Sequence, residues 1–214
     1  MLTIFVEAAV KELEVHDIGA SVKRHRRAYL RPWRSWAPYP ELEGAELEDL
    51  VARAGLAGYH LVMCVTACWV EDDGRLVPYP KKFPAAARTL RGLDVTIACH
   101  GYTHCQVGQH HARLLRSNRA AWREFLPTMP AMVERHHLRQ SKKILEDWCG
   151  RPVRRLVPPG DVFTARTAEI AKDEGYTEIS CRPEVAPEPC ALPIVSPRRV
   201  HDREIVRGYV FPAA

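Results

Sequence analysis

The sequence lacks any apolar run long enough to cross a membrane. Nowhere in its 214 residues do 18 apolar residues follow one another, and a bilayer-spanning helix needs about that many. Its first residues, MLTIFVEAAVKELEVHD, also lack the basic start of a secretory signal peptide, and Glu7 and Lys11 interrupt the apolar stretch. We therefore expect no membrane contact and a cytoplasmic location.

The cysteines lack the spacing of a disulfide framework or a zinc knuckle. There are seven of them, an odd number, and no two are separated in the C-x-x-C manner. Without an export signal, we expect reduced thiols that are buried as small apolar side chains.

The chain carries only a small excess of positive charge. Its 31 lysines and arginines stand against 26 acidic residues, which gives a formal net charge of +5. The arginines are scattered, without the interleaved aromatic residues of a single-strand binder, so no nucleic-acid partner is expected. An anionic substrate or a solvated surface explains the excess equally well.

Apolar patterns of two kinds alternate along the chain. Runs typical of strands occupy 2–6, 13–18, 60–69, 94–99, 153–159 and 176–180. Helical patterns occupy 41–57, 84–92, 132–150 and 164–175. This alternation predicts an α/β protein with a parallel sheet, either a barrel or a doubly wound sheet. The length predicts a single domain over 1–214, with an insertion or lid loop at about 22–40 and an irregular C-terminal part.

Candidate site residues follow three of the predicted strands. Asp17 comes after LEV, His100 after DVTIAC, and 158–160 after VRRLV. Active sites of parallel α/β folds lie at the carboxyl ends of their strands, so we expect these residues to lie together.

His100 and His104 form an H-x-x-x-H pair flanked by Cys99 and Cys105. On a helical turn this spacing places both imidazoles on one face, where they can share a metal ion. A closed zinc site that includes Cys99 is not expected, because successive strand side chains point to opposite faces.

The other histidine pairs are adjacent in sequence. His110/His111 and His136/His137 diverge by about 100° on a helix, so neither pair can share a ligand. We expect both pairs on solvated faces.

The stretch DVTIACHGYTH resembles the second motif of the polysaccharide deacetylase family, in which both histidines bind a catalytic metal. LEVHDIGAS, residues 13–21, looks like a variant of the first motif with His–Asp in place of Asp–Asp. The resemblance implies that Asp17 is the third metal ligand and that His16 takes the position of the base.

The resemblance extends over roughly residues 13 to 180. LVPPGDVF matches the third motif at Pro158, Pro159 and Gly160, but Val157 stands near the place of its arginine. We expect these three residues and Asp161 to line the substrate site, with a backbone N–H near Gly160 or Asp161 stabilising the oxyanion. Asp161 supplies a compensating carboxylate or caps the helix that begins near Thr164, and capping is preferred.

Two further assignments follow from the resemblance. It implies a late histidine as proton donor, and it gives that role to His201, the only histidine after position 137. WVEDDGRL, with Asp73, also looks like a first motif, but only 26 residues separate Asp73 from His100. A helix, a strand and a second helix would have to fit between them, and one βαβ unit already needs about 30 residues.

The resemblance implies a distorted (β/α) barrel that forms one deacetylase-like catalytic domain. It also implies a hydrolase that uses a divalent metal, with Zn²⁺ expected, to activate water. That water would remove an N-acyl group, expected to be acetyl, from an amino sugar or related acylated amine. Because His16 and Val157 depart from the family pattern, a binding protein that keeps the metal pocket without turnover is the alternative.

Overall fold

The computed structural model describes residues 11–21, 41–42, 44–71, 74–105 and 123–201. Several sequence-based predictions lie outside these ranges: the strand at 2–6, the loop at 22–40, Asp73 and the pair His110/His111. Among the helices of the described ranges, none combines the length and apolarity needed to cross a bilayer.

Nine strands and five α-helices alternate along the described chain. The strands are β1 Lys11–Ile18, β2 Tyr59–Val65, β3 Cys68–Val70, β4 Leu76–Pro78, β5 Thr96–Cys99, β6 Arg155–Leu156, β7 Glu178–Ser180, β8 Ile194–Val195 and β9 Arg198–His201. The helices are α1 Ala45–Leu56, α2 Tyr79–Lys82, α3 Pro84–Gly92, α4 Ala131–Cys149 and α5 Ala165–Asp173. Short 3₁₀ turns span Pro159–Asp161 and Pro183–Val185.

Seven strands form one parallel sheet in the order β8-β7-β6-β5-β2-β1-β9. From β1 to β8 this order follows the chain, as it does in a (β/α) barrel. Only two residues separate β8 from β9, so one extended segment supplies both ends of the sheet. This confirms the predicted barrel with parallel strands and, of its two alternatives, excludes the doubly wound sheet.

Alternation along the strands separates two packing faces. Leu13, Met63 and Ile97 belong to the main apolar core, in which Leu138 and Trp148 of α4 are also buried. A second, small cluster faces the barrel interior and consists of Val62, Cys64, Ala98 and Val157. In β1 the side chains that alternate with Leu13 and Val15 are Glu14 and His16, which face the barrel interior and are polar and buried. The period of two therefore places apolar residues against the helices and functional groups inside the barrel.

The apolar run at 60–69 does not form one strand as predicted. After β2 the backbone N–H of Thr66 donates to Ile18, while Ala67 and Cys68 donate to the carbonyls of Gly101 and Tyr102. β3 then pairs with β4 in a separate antiparallel sheet. The apolar composition reflects burial on both sides of this break, and the break places β3 beside the loop that carries His104.

Candidate metal centre and active site

Asp17, His100 and His104 converge at the carboxyl ends of β1 and β5. His100 Nε2 lies 3.4 Å from Asp17 Oδ1 and 3.1 Å from His104 Nε2. His104 Nε2 lies 3.3 Å from the same Asp17 oxygen. The three atoms therefore form a nearly equilateral triangle, as expected from the positions of their strands.

The dimensions of this triangle fit a shared metal ion. A tetrahedral ion with bonds of about 2.0–2.1 Å has its ligand atoms roughly 3.3–3.4 Å apart. Two imidazole nitrogens that face each other at 3.1 Å can share at most one proton. A cation between the two nitrogens and the carboxylate would satisfy all three atoms at once.

The His100 ring is held in the tautomer that a metal site requires. Its Nδ1 donates to the carbonyl of Val157 over 2.8 Å, which directs the Nε2 lone pair toward Asp17 and His104. Burial lowers the pKa of His100 to about 4, although the hydrogen bond to Asp17 opposes that shift. The imidazole is therefore neutral near neutral pH, which is the form that binds metals.

A loop, without any helical turn, brings His100 and His104 together. Gly101 has a φ of 80° and His104 a φ of 58°. Asp17 has a φ of 68° and sits at an irregularity in the pairing of β1 with β2, between Val15 and Ile18. Left-handed conformations are rare for residues with a Cβ, yet Asp17 and His104 both adopt one at this site.

His16 contacts a buried carboxylate that the sequence did not single out. Its Nε2 lies 3.0 Å from Oε2 of Glu14, which is fully buried. Burial alone would raise the pKa of Glu14, but its hydrogen bonds with His16 and Ser180 and the positive charge of Arg199 lower it. Glu14 is thus an ionised acceptor, and the alternation of β1 was the signal that could have identified it.

Glu14, His16 and Cys64 form a second group whose ligand atoms lie within 4.8 Å of one another. This group is already compensated by cations, because Arg155 and Arg199 each approach a Glu14 oxygen to 3.4 Å. Burial and the charge of Glu14 raise the pKa of the Cys64 thiol well above its usual value. A protonated thiol beside two arginines does not suit a metal ion.

Glu124 is a second buried acid that no motif indicated. Its carboxylate accepts hydrogen bonds from the backbone N–H groups of Tyr102, Thr103 and His104 and contacts His137. The solvated position expected for His137 is therefore wrong, since its ring is buried against Glu124, whereas His136 is exposed. The sequence offered no signal for Glu124, because it lies 20 residues after His104.

The third motif follows β6, where it was expected. Pro158 and Pro159 are buried, whereas Gly160 is exposed and has a φ of 65°. Asp161 does not cap α5, as preferred from the sequence. Thr164 caps α5 instead, in a reciprocal pair with Thr167.

Asp161 forms ion pairs with arginines from two other segments. Its carboxylate lies 2.5 Å from Arg199 Nη1 and 3.0 Å from Arg182 Nε. Val157, at the place of the missing arginine, contributes its side chain to the interior cluster and its carbonyl to His100. The contact that orients His16 therefore comes from β1 itself and not from the third motif.

His201 lies in β9, the strand beside β1, and its backbone is in register with that of His16. The two predicted catalytic positions are thus neighbours at one end of the sheet. Cys99 and Cys105 are buried, as expected of cysteines that serve as small apolar side chains, and among the described residues neither belongs to a potential metal-binding group.

Comparisons with known proteins agree with this fold. The family model described as Polysaccharide deacetylase matches residues 56–179. That match begins after Asp17, so the position of Asp17 in the site rests on the geometry above. No curated protein is significantly similar to the chain.

Solved structures with this fold are distant in sequence. A Mycobacterium smegmatis protein assigned to the polysaccharide deacetylases is 15% identical, with a TM-score of 0.44 over 63% of this chain and 37% of that one. The BpsB deacetylase domain of Bordetella bronchiseptica is 14% identical, with a TM-score of 0.53 over 90% and 96%. A wild-type pseudoenzyme of family CE4 from Bacillus anthracis is 14% identical, with a TM-score of 0.47 over 75% and 52%.

The chain therefore spans well under half of the first of these structures and nearly all of the second. At 14% identity, the second structure, with its TM-score of 0.53, establishes the fold alone. The family model itself covers more than half of the 214 residues, including the strand and loop that carry His100 and His104. The chain belongs to the polysaccharide deacetylase family.

Proposed function

We propose that this protein is a metal-dependent hydrolase that removes an N-acyl group, expected to be acetyl, from an amino sugar or related acylated amine. The observation that carries the proposal is the triangle of Asp17 Oδ1, His100 Nε2 and His104 Nε2. Its three sides, between 3.1 and 3.4 Å, fit a single ion.

Asp17, His100 and His104 would hold the ion on one side and leave its other side open. Two imidazoles and one carboxylate form a donor set that catalytic Zn²⁺ uses, and Zn²⁺ is the ion we propose. When bound, the ion would polarise the acyl oxygen and activate a water molecule.

His16 is the proposed base. Because Glu14 is ionised, the bond between them is donated by His16 Nε2–H. A neutral His16 ring then carries its proton-accepting lone pair on Nδ1. The carboxylate fixes the tautomer and the orientation of the ring, as a base needs.

His201 is the proposed donor of a proton to the leaving amine. Its strand lies beside β1, and its backbone is in register with that of His16. A base and an acid on neighbouring strands can act on opposite sides of the bond that breaks.

The loop after β6 is the proposed wall of the substrate site. Pro158 and Pro159 would supply apolar surface, and Asp161 would orient it through its arginine pairs. The Asp161 N–H already donates to the carbonyl of Pro158. Gly160 is therefore the proposed source of the backbone N–H that stabilises the oxyanion. The cytoplasmic location expected from the sequence stays a prediction.

The binding-protein alternative rests on the departures at His16 and Val157. Glu14 and the carbonyl of Val157 provide hydrogen-bonding partners at these positions. Because Glu14 orients the proposed base His16 and the carbonyl of Val157 orients the proposed ligand His100, the site favours a working enzyme over a binding protein.

The test is acetate release from N-acetylated amino sugars and short N-acetylated amines by the zinc-loaded protein. We expect release by the wild-type protein and by Asp147→Ala, which removes an exposed carboxylate in α4. We expect none from Asp17→Ala. A zinc-loaded wild-type protein that turns over no acylated amine would establish the binding-protein alternative.

A further inference from the structure

Three successive backbone N–H groups of the loop after β5 converge on one carboxylate. Tyr102 N lies 3.0 Å from each oxygen of Glu124, and Thr103 N and His104 N lie 3.1 and 2.9 Å from Oε2. Glu124 is 1% exposed. Consecutive N–H groups around one anion form a nest that compensates a buried negative charge.

The other side of the same carboxylate is anchored to α4. His137 Nδ1 lies 2.6 Å from Glu124 Oε1, and the Tyr102 ring packs against the His137 ring at a centroid distance of 4.9 Å. α4 has 19 residues and a buried apolar stripe, so it is a rigid support. Glu124 therefore connects this helix to the loop that carries His104.

The position of Glu124 also explains the glycine of HGYTH. A Cβ at Gly101 would overlap Glu124 Oε2 and touch Pro159 Cγ, and the φ of Gly101 is 80°. The same turn gives His104 a φ of 58°, which a residue with a Cβ adopts only when its surroundings hold it there. The hydrogen bond from His104 N to Glu124 supplies such a constraint.

We propose that Glu124 is a positioning residue for the metal site, which fixes the loop 101–104 so that His104 Nε2 meets His100 and Asp17. The proposal rests on the metal site of the proposed function. It goes beyond that function because Glu124 contributes no ligand atom and acts through the backbone of a ligand.

The matched variants are Glu124→Gln and Glu134→Gln. Glu134 is the control because it is also fully buried but lies at the start of α4, away from the loop 101–104. There it is held by Arg166 and Thr167 of α5. Glu124→Gln replaces one acceptor oxygen with an NH₂ group that cannot accept from the loop. The measurements are the Zn²⁺ dissociation constant, the visible absorption spectrum of the Co²⁺ form, and the melting temperature of the metal-free protein.

We expect Glu124→Gln to weaken Zn²⁺ binding by about 10- to 100-fold, the usual effect of removing a partner that orients a ligand. Its Co²⁺ spectrum should change as well. Glu134→Gln should lower the melting temperature but keep the wild-type zinc affinity and spectrum. A folded Glu124→Gln protein with wild-type affinity and spectrum would overturn the proposal.

If Glu124→Gln does not fold, His137→Phe tests the same idea. It removes the anchor of the carboxylate and leaves the three backbone bonds possible, so a smaller loss of zinc affinity is expected. Wild-type affinity in folded His137→Phe contradicts the proposal. A wild-type protein that binds zinc without releasing acetate refutes the proposed function only, whereas a wild-type protein that binds no metal refutes both.

Discussion

Two groups of buried ligands lie next to each other along β1, and only one of them suits a metal ion. Asp17, His100 and His104 place one carboxylate oxygen against two imidazole nitrogens, and the low pKa of His100 keeps that ring neutral. The ligand atoms of Glu14, His16 and Cys64 also lie within 4.8 Å of one another, yet Arg155 and Arg199 already compensate the carboxylate. Proximity of ligand atoms is thus not sufficient, and the charges already present decide which group would attract a cation.

The two groups are also in contact, because the His16 and His100 rings lie 5.0 Å apart. One group is therefore expected to hold the ion while the other supplies an oriented histidine beside it. Variants that affect one group and spare the other test this division.

The largest effect is expected from His16→Ala. Loss of a general base lowers turnover by about 10²- to 10⁴-fold, whereas zinc should stay bound because His16 is not a ligand. Turnover and zinc content are measured together. His60→Ala, which removes a histidine bonded to Thr96 outside the site, is the control. Loss of zinc in His16→Ala would show that the two groups are not separate.

Glu14→Ala should chiefly lower stability. It removes the fully buried carboxylate beside Arg155 and the half-buried Arg199, although Arg155 keeps Glu12 and Glu178 and Arg199 keeps Asp161. Because these partners remain, the cost should be about 1–3 kcal/mol, the usual cost of leaving a buried donor without its acceptor. The free energy of unfolding in urea measures the effect. Glu12→Ala, which removes a more exposed partner of Arg155, should cost about 1 kcal/mol or less. Equal costs for the two variants would contradict the central role of Glu14.

The smallest effect on the metal is expected from Cys64→Ala. Its thiol is protonated and points to the carbonyl of Val62, so zinc affinity should stay within about twofold of the wild-type value. Isothermal titration with Zn²⁺ measures it. A loss as large as that of a true ligand would assign the metal to the second group.

The fold class could be predicted from the sequence, and so could the proximity of three motifs at the carboxyl ends of the strands. Alternating strand and helix patterns predicted a parallel α/β sheet, and the resemblance to the deacetylase family selected the barrel. The rule on strand ends predicted that Asp17, His100 and 158–160 lie together. That rule depends only on the direction of the strands, so it can be applied without knowing the conformation of any loop.

The remaining details depend on backbone conformation and on contacts distant in sequence. The left-handed φ of His104 has no signature in HGYTH, so the conformation of this loop could not be predicted. The break at Thr66–Ala67 arises from bonds to the loop after β5, which an apolar run cannot reveal. Glu124 and His137 meet only through tertiary packing, and Thr164 displaced Asp161 as the cap of α5.

The central claim is that Asp17, His100 and His104 together hold one divalent ion. Its most direct test is the zinc content of the purified protein after loading and dialysis, in the wild-type protein, in His100→Ala and in the control His136→Ala, which alters an exposed histidine of α4. We predict one equivalent of zinc in the wild-type protein and in His136→Ala, and none in His100→Ala. A full equivalent of zinc in folded His100→Ala would contradict the account.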